Sequence, residues 1–138
     1  MAAHGARAIG FDLVPAAAEW AQKRFPELEF RAADLFAPPA EWRGAFDFVN
    51  EIYTLQALPG SVLPEARAAL AALLKPGGRL LVICRSRRDD QLVGGPPWPL
   101  TRADLMAFEE VGLTLVECEN TPPTLTPNPH WRAVFRKN

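Results

Sequence analysis

The sequence is short of the features that would assign it quickly. Only two of its 138 residues are cysteine, and 15 Lys and Arg against 16 Asp and Glu leave a formal charge of −1. Cys84 and Cys118 lie in apolar, strand-like runs without CxxC spacing, which argues against a disulfide or metal framework and for two buried thiols. A charge so close to zero provides no basic field for a nucleic-acid backbone or an anionic membrane, so neither is an expected partner. No apolar run approaches the roughly 20 residues of a membrane span, and the N-terminus lacks the charged-then-apolar pattern of a secretory signal. The chain reads as soluble and cytoplasmic. Internal repeats and low-complexity tracts are also missing. What is present is a 49% hydrophobic chain of 138 residues, which predicts one packed domain over 1–138.

Along the chain, strand and helix patterns alternate. Ala2-Ala3-His4-Gly5 has the form of a helix end with glycine beyond it. Arg7–Phe11 reads as a strand, and Pro15 opens a helix whose apolar positions are Ala17, Trp20, Ala21 and Phe25. Leu28, Phe30 and Ala32 alternate as a second strand, and Ala45–Asn50 is a third. Leu63, Ala66, Leu70, Leu73 and Leu74 predict a helix over 63–75, closed by Pro76-Gly77-Gly78. The unalternating run Leu80–Cys84 predicts a strand covered on both faces. Residues 85–100 form a long, charged and then Gly/Pro-rich surface segment. Thr101 with Asp104 is a helix-capping pair, and Gly112 ends that helix. The last two strands, 113–119 and 131–136, are joined by 120–130. That join holds four prolines and no helical pattern, so the pair is antiparallel. The resulting fold class is α/β, a three-layer and mostly parallel sheet with a C-terminal antiparallel hairpin.

In open α/β sheets ligands bind beyond the carboxyl ends of the strands. The residues at those positions are Asp12, Asp34, Asn50 with Glu51, and Arg85 with Ser86. One carboxylate can accept from both vicinal hydroxyls of a ribose, which makes Asp12 a candidate, although a lone acid before a helix more often serves as a cap. Asp34, after the next strand, supplies a second acceptor in the same crevice.

Four segments, Ala6–Gln22 (ARAIGFDLVPAAAEWAQ), Arg31–Phe36 (RAADLF), Phe46–Pro59 (FDFVNEIYTLQALP) and Leu73–Ile83 (LLKPGGRLLVI), follow one another in an order and spacing that resembles the class I S-adenosylmethionine-dependent methyltransferases. The resemblance implies methyl transfer from S-adenosylmethionine to a small-molecule acceptor. It also implies a role for each matching residue: Asp12 binds the cofactor ribose, Leu13 lies by the adenine, Asp34 accepts from the adenine amino group, and the Leu35 amide is near it. Asn50 and Glu51 fall near the methionine end, and Glu51 or Tyr53 is the candidate base. Tyr53, Thr54 and Gln56 would face the methyl group or the acceptor, and Trp98, His130 and Trp131 are candidates to line its pocket. TLQALP at Thr54–Pro59 is similar to the small-molecule branches, such as the thiopurine and tellurite-resistance methyltransferases.

One family feature does not match: no GxG occurs before Asp12. The family's first strand and glycine-rich turn are therefore expected to be missing, which makes the chain an N-terminally truncated or degenerate homologue. In the family that strand runs between those ending here at Asp12 and Asn50. Its loss leads to an expectation of weak cofactor binding and of self-association through exposed strand edges. A catalytically silent binding module is the alternative. A nicotinamide-dependent dehydrogenase is disfavoured by the absent GxGxxG and by the C-terminal hairpin.

Overall fold

The computed structural model describes residues 5–121 and 128–138. The helix end read at Ala2–Gly5 therefore lies outside the described residues except for Gly5, and the proline-rich join lies partly outside them. The chain divides into two compact units, Met1–Ala40 and Glu41–Asn138.

In the first unit, β1 (Ile9–Asp12) and β2 (Glu29–Ala32) pair in parallel, with Ile9 opposite Glu29 and Asp12 opposite Ala32. Helix α1 (Pro15–Arg24) is the crossover between them, and its first-turn proline has no amide to leave unbonded. Gln22 ties α1 to β2, donating to Leu28 O at 2.8 Å and accepting from Phe30 N at 3.0 Å. The apolar face read on α1 is not realised: Ala18 is its one buried residue, and Trp20 is 61% exposed. Instead of packing inward, the Trp20 ring lies under the Arg24 guanidinium, 5.2 Å from its centroid.

The second unit is a four-stranded sheet in the order β3-β4-β6-β5. β3 (Phe46–Ile52) and β4 (Leu74–Arg85) run parallel, with α2 (Leu63–Leu73) between them in the chain. β6 (His130–Lys137) lies antiparallel to both β4 and β5 (Leu113–Thr121), so the C-terminal hairpin is as the sequence predicts. Helix α3 (Arg102–Met106) begins with the expected capping box: Thr101 Oγ1 accepts from Asp104 N at 3.1 Å, and an Asp104 carboxylate oxygen accepts from Thr101 N at 2.8 Å. A 3-10 turn over Ala107–Val111 follows and ends at Gly112, whose φ of +79° is the left-handed cap conformation.

Helix α2 ends before its apolar pattern does. Its last carbonyls are claimed from outside: Gly44 N donates to Ala72 O at 2.8 Å, Ala45 N to Leu73 O at 3.0 Å, and Lys137 Nζ to Ala71 O and Leu74 O at 2.9 Å each. β4 then starts at Leu74 and carries Pro76-Gly77-Gly78 within it. A Cβ on Gly78 would stand 2.9 Å from Lys75 O and 3.0 Å from Phe46 O, so only glycine fits where β4 passes β3.

The core lies on one face of this sheet. Leu80, Val82, Cys84, Ala133 and Phe135 are fully buried, and Phe108 packs on Phe135 with ring centroids 4.8 Å apart. Helix α2 contacts both β4 and the 107–111 turn. Leu81 and Ile83, which point to the other face, are only half-buried, so β4 is not covered equally on both sides as its unalternating sequence predicts. The Cys84 thiol is buried, whereas Cys118 is half-buried and its Sγ accepts from Arg102 Nη1 at 3.7 Å. Among the described residues, β1 pairs with β2 alone and β3 with β4 alone. Among the same residues, no helix is long and apolar enough to cross a membrane.

Candidate functional site

Asp12 and Asp34 follow neighbouring parallel strands and adopt the same local form. Asp12 Oδ1 accepts from Val14 N at 2.8 Å, and Asp34 Oδ1 accepts from Phe36 N at 2.9 Å, each closing a turn two residues long. Ala33 N donates to Asp12 O at 3.0 Å and so joins the two turns. Asp12 does not cap α1; the cap position is Val14, and it has no side-chain bond. In each acid one oxygen holds the turn, and the second has no hydrogen bond to protein among the described residues. Leu13 is largely exposed beside Asp12, and Leu35 is half-buried beside Asp34. The four residues read from the sequence as an adenosine site thus stand together in the first unit.

In the second unit, Asn50 and Glu51 lie inside β3 and not beyond its end, because the ladder to β4 continues as far as Ile52 opposite Ile83. Asn50 is exposed. Glu51 points to the opposite face and is 3% exposed. Its Oε1 accepts from Thr54 N at 2.6 Å and from Leu55 N at 3.0 Å. Its Oε2 is buried with no partner among the described residues. Burial pushes the Glu51 carboxyl up to about 7, against the opposing effect of the amides of Leu55 and Thr54.

Tyr53 makes the turn that follows, at φ +66°, a strained conformation for an aromatic residue. Its amide donates to Ile83 O at 3.0 Å, and its hydroxyl lies 3.0 Å from His130 Nε2. The Tyr53–His130 pair is not evident in the sequence, since 77 positions separate the two residues. Gln56 is buried and already committed: its side-chain oxygen accepts from Arg85 N at 2.7 Å, and its backbone oxygen from Trp98 N at 2.6 Å. Trp131 stands in β6, where the sequence predicts a strand, and is buried, with its indole donating to Leu100 O at 2.9 Å. Gln56 and Trp131 therefore shape the end of the sheet from within it. Trp98 is half-buried.

Residues 1–78 match the family described as methyltransferase domain. The chain belongs to the methyltransferase-domain family. The chain is 33% identical over 82 residues to the thiopurine S-methyltransferase of Vibrio cholerae, a match that covers 59% of this chain and 36% of that protein. The chain thus spans about a third of the length of the curated relatives it matches. Among solved structures, the Burkholderia thailandensis 1,6-didemethyltoxoflavin-N1-methyltransferase, with bound 1,6-didemethyltoxoflavin and S-adenosylhomocysteine, has a TM-score of 0.79 at 20% identity, over 99% of this chain and 64% of that one. A TehB-like SAM-dependent methyltransferase from Corynebacterium glutamicum has a TM-score of 0.70 at 22% identity, over 94% of this chain and 67% of that one. The methyltransferase-domain fold is thus the Rossmann-like α/β architecture that the four sequence segments imply.

Proposed function

We propose that this chain provides cofactor-binding and acceptor-side elements of an S-adenosylmethionine-dependent methyltransferase acting on a small-molecule acceptor, organised as one methyltransferase-like domain. The observation that carries the reading is the pair of turns at Asp12 and Asp34, each with a carboxylate oxygen left for a ligand at the carboxyl end of a parallel strand. On this reading Asp12 accepts from the ribose hydroxyls, Leu13 lies against the adenine, Asp34 accepts from the adenine amino group, and the Leu35 amide is close to it. Asn50 and Glu51 serve the methionine end.

The orphaned Glu51 Oε2 fits a group that brings a donor, an ammonium or an acceptor proton. The cofactor supplies a methyl group already activated on a sulfonium, so the protein needs to position groups more than it needs a nucleophile. Glu51 holds or takes a proton at Oε2, and Tyr53, oriented by His130, is the second candidate base.

The test is calorimetric titration of S-adenosylhomocysteine. Because Asp12 and Asp34 serve only the adenosine part, the chain is expected to bind weakly or not at all. Asp12→Ala is expected to weaken binding further by about 1.5–3 kcal/mol, since one carboxylate serves two hydroxyls, and Asp34→Ala by less. Should Asp12→Ala bind like the parent, the ribose assignment is wrong.

A further inference from the structure

The segment after β4, read from the sequence as a charged and then Gly/Pro-rich surface segment long enough to be a lid or substrate loop, forms one wall of a crevice of about 400 Å³. Its lining includes Ser86, Arg87, Arg88, Arg102, Asn120 and Trp131. Ser86 directly follows β4, Asn120 is near the end of β5, and Trp131 is near the start of the antiparallel β6. The crevice therefore opens at the end of the sheet where α/β folds bind ligands.

Its charge is not balanced internally. Arg88 is paired with Asp90, Nε to Oδ1 at 3.0 Å, and is accounted for. Arg87 has no carboxylate partner among the described residues. Its Nε donates to Pro99 O at 2.9 Å and its Nη1 to Arg88 O and Gln91 O at 3.3 and 3.1 Å, so three neutral carbonyls fix the guanidinium without cancelling its charge. Among the same residues, Arg102 donates only to Cys118 Sγ, at 3.7 Å. Against these two cations the lining offers a single carboxylate, Asp89, which forms no ion pair among the described residues. The small polar groups between them, Ser86 Oγ and Asn120 Oδ1, are already joined to each other at 3.2 Å.

We propose that this crevice is an oxyanion subsite, in which Arg87 and Arg102 hold a carboxylate or phosphate carried by the methyl acceptor. The proposal rests on the methyltransferase reading and narrows it to an anionic acceptor. Two guanidiniums lacking counter-ions, one of them held by the backbone, are preorganised for a planar or tetrahedral oxyanion. His130, between crevice-lining Pro129 and Trp131, turns to the other face of the sheet toward Tyr53.

The experiment is an NMR titration of the chain, observing arginine Nε–H and backbone amide signals, with inorganic phosphate in one arm and succinate in the other. S-adenosylhomocysteine is titrated separately. Saturable shifts at Arg87, Arg102, Ser86 and Asn120 are expected, with whichever anion fits better saturating first. Arg102→Met, which keeps the side chain's length, is expected to weaken that binding roughly tenfold, and Arg87→Met to do so if its loop stays folded. Shifts that grow linearly, spread over the surface or survive in Arg102→Met would overturn the subsite. Anion binding without S-adenosylhomocysteine binding would leave the subsite standing and count against the methyltransferase reading. The reverse result would count against the subsite alone.

Discussion

At the scale of single residues, Glu51 is the group with the most to test. Its carboxyl titrates near 7 in the folded chain and near 4.5 in the unfolded one, because burial outweighs the two amides at Oε1. Between those values the folded state holds a proton that the unfolded state has lost, so folding stability falls as pH rises from about 4.5 to 7 and levels off above. The loss at neutral pH amounts to a few kcal/mol. Glu51→Gln cannot ionise, so urea melts of this variant are expected to lack that decline; an unchanged decline would place its origin elsewhere. The same substitution is expected to remove any rise in turnover through about pH 7 in a form competent for catalysis. Asp12 and Asp34 were legible in the sequence as carboxylates at or just after the ends of β1 and β2, whereas Glu51, read as following its strand, lies within β3. The Tyr53–His130 pair was not legible, because it arises from the register of β6 against β4, and neither was the commitment of Gln56, whose partners Arg85 and Trp98 are distant in the chain; no local pattern encodes either.

Among the elements, β3 and β4 show how packing overrides pattern. The sequence predicted β3 to end at Asn50, and the ladder to β4 carries it on to Ile52. The predicted end of α2 gave way because three donors from outside the helix, Gly44 N, Ala45 N and Lys137 Nζ, take the carbonyls of Ala71 to Leu74. Gly78 is the tightest point of this junction. Gly78→Ala must displace backbone, and is expected to cost about 1–3 kcal/mol, read as a lower thermal midpoint. β3 and β1 each have one ladder partner among the described residues, and β3 also exposes Phe48 and Ile52. Unpaired edges recruit other strands. Light scattering is therefore expected to show self-association rising with concentration, and a monodisperse monomer at high concentration would contradict this.

For the whole molecule, the two units differ in what holds them. The described part of Met1–Ala40 has one buried residue, Ala18, and a two-stranded sheet, and it exposes Phe11, Leu13, Val14, Trp20 and Phe25. Two strands alone are marginal in water. Glu41–Asn138 instead has a core of fully buried side chains from β4, β6 and the α3 region. Hydrogen exchange is expected to reflect the difference, with the β1 and β2 amides exchanging well before those of Leu80, Val82 and Ala133. Equal protection in the two units would refute it. The alternation of strands and helices was legible from hydrophobic periodicity. The unequal burial was not, since the apolar residues of α1 are spaced as in a packed helix yet lie on the surface.

The order β3-β4-β6-β5 also bears on how the protein is made. β6 comes last among the described strands in chain order, yet it lies between β4 and β5, and its Lys137 reaches back across 66 positions to Ala71. Until β6 has been synthesised, β4 and β5 lack the neighbour that joins them, and Leu80, Val82 and Cys84 wait without Phe135 and Ala133 beside them. Such long-range pairing is slow to form. The nascent second unit therefore cannot complete its sheet before β6 is available, and the interval in which its apolar face is open to chaperones or to other chains lasts until that strand docks.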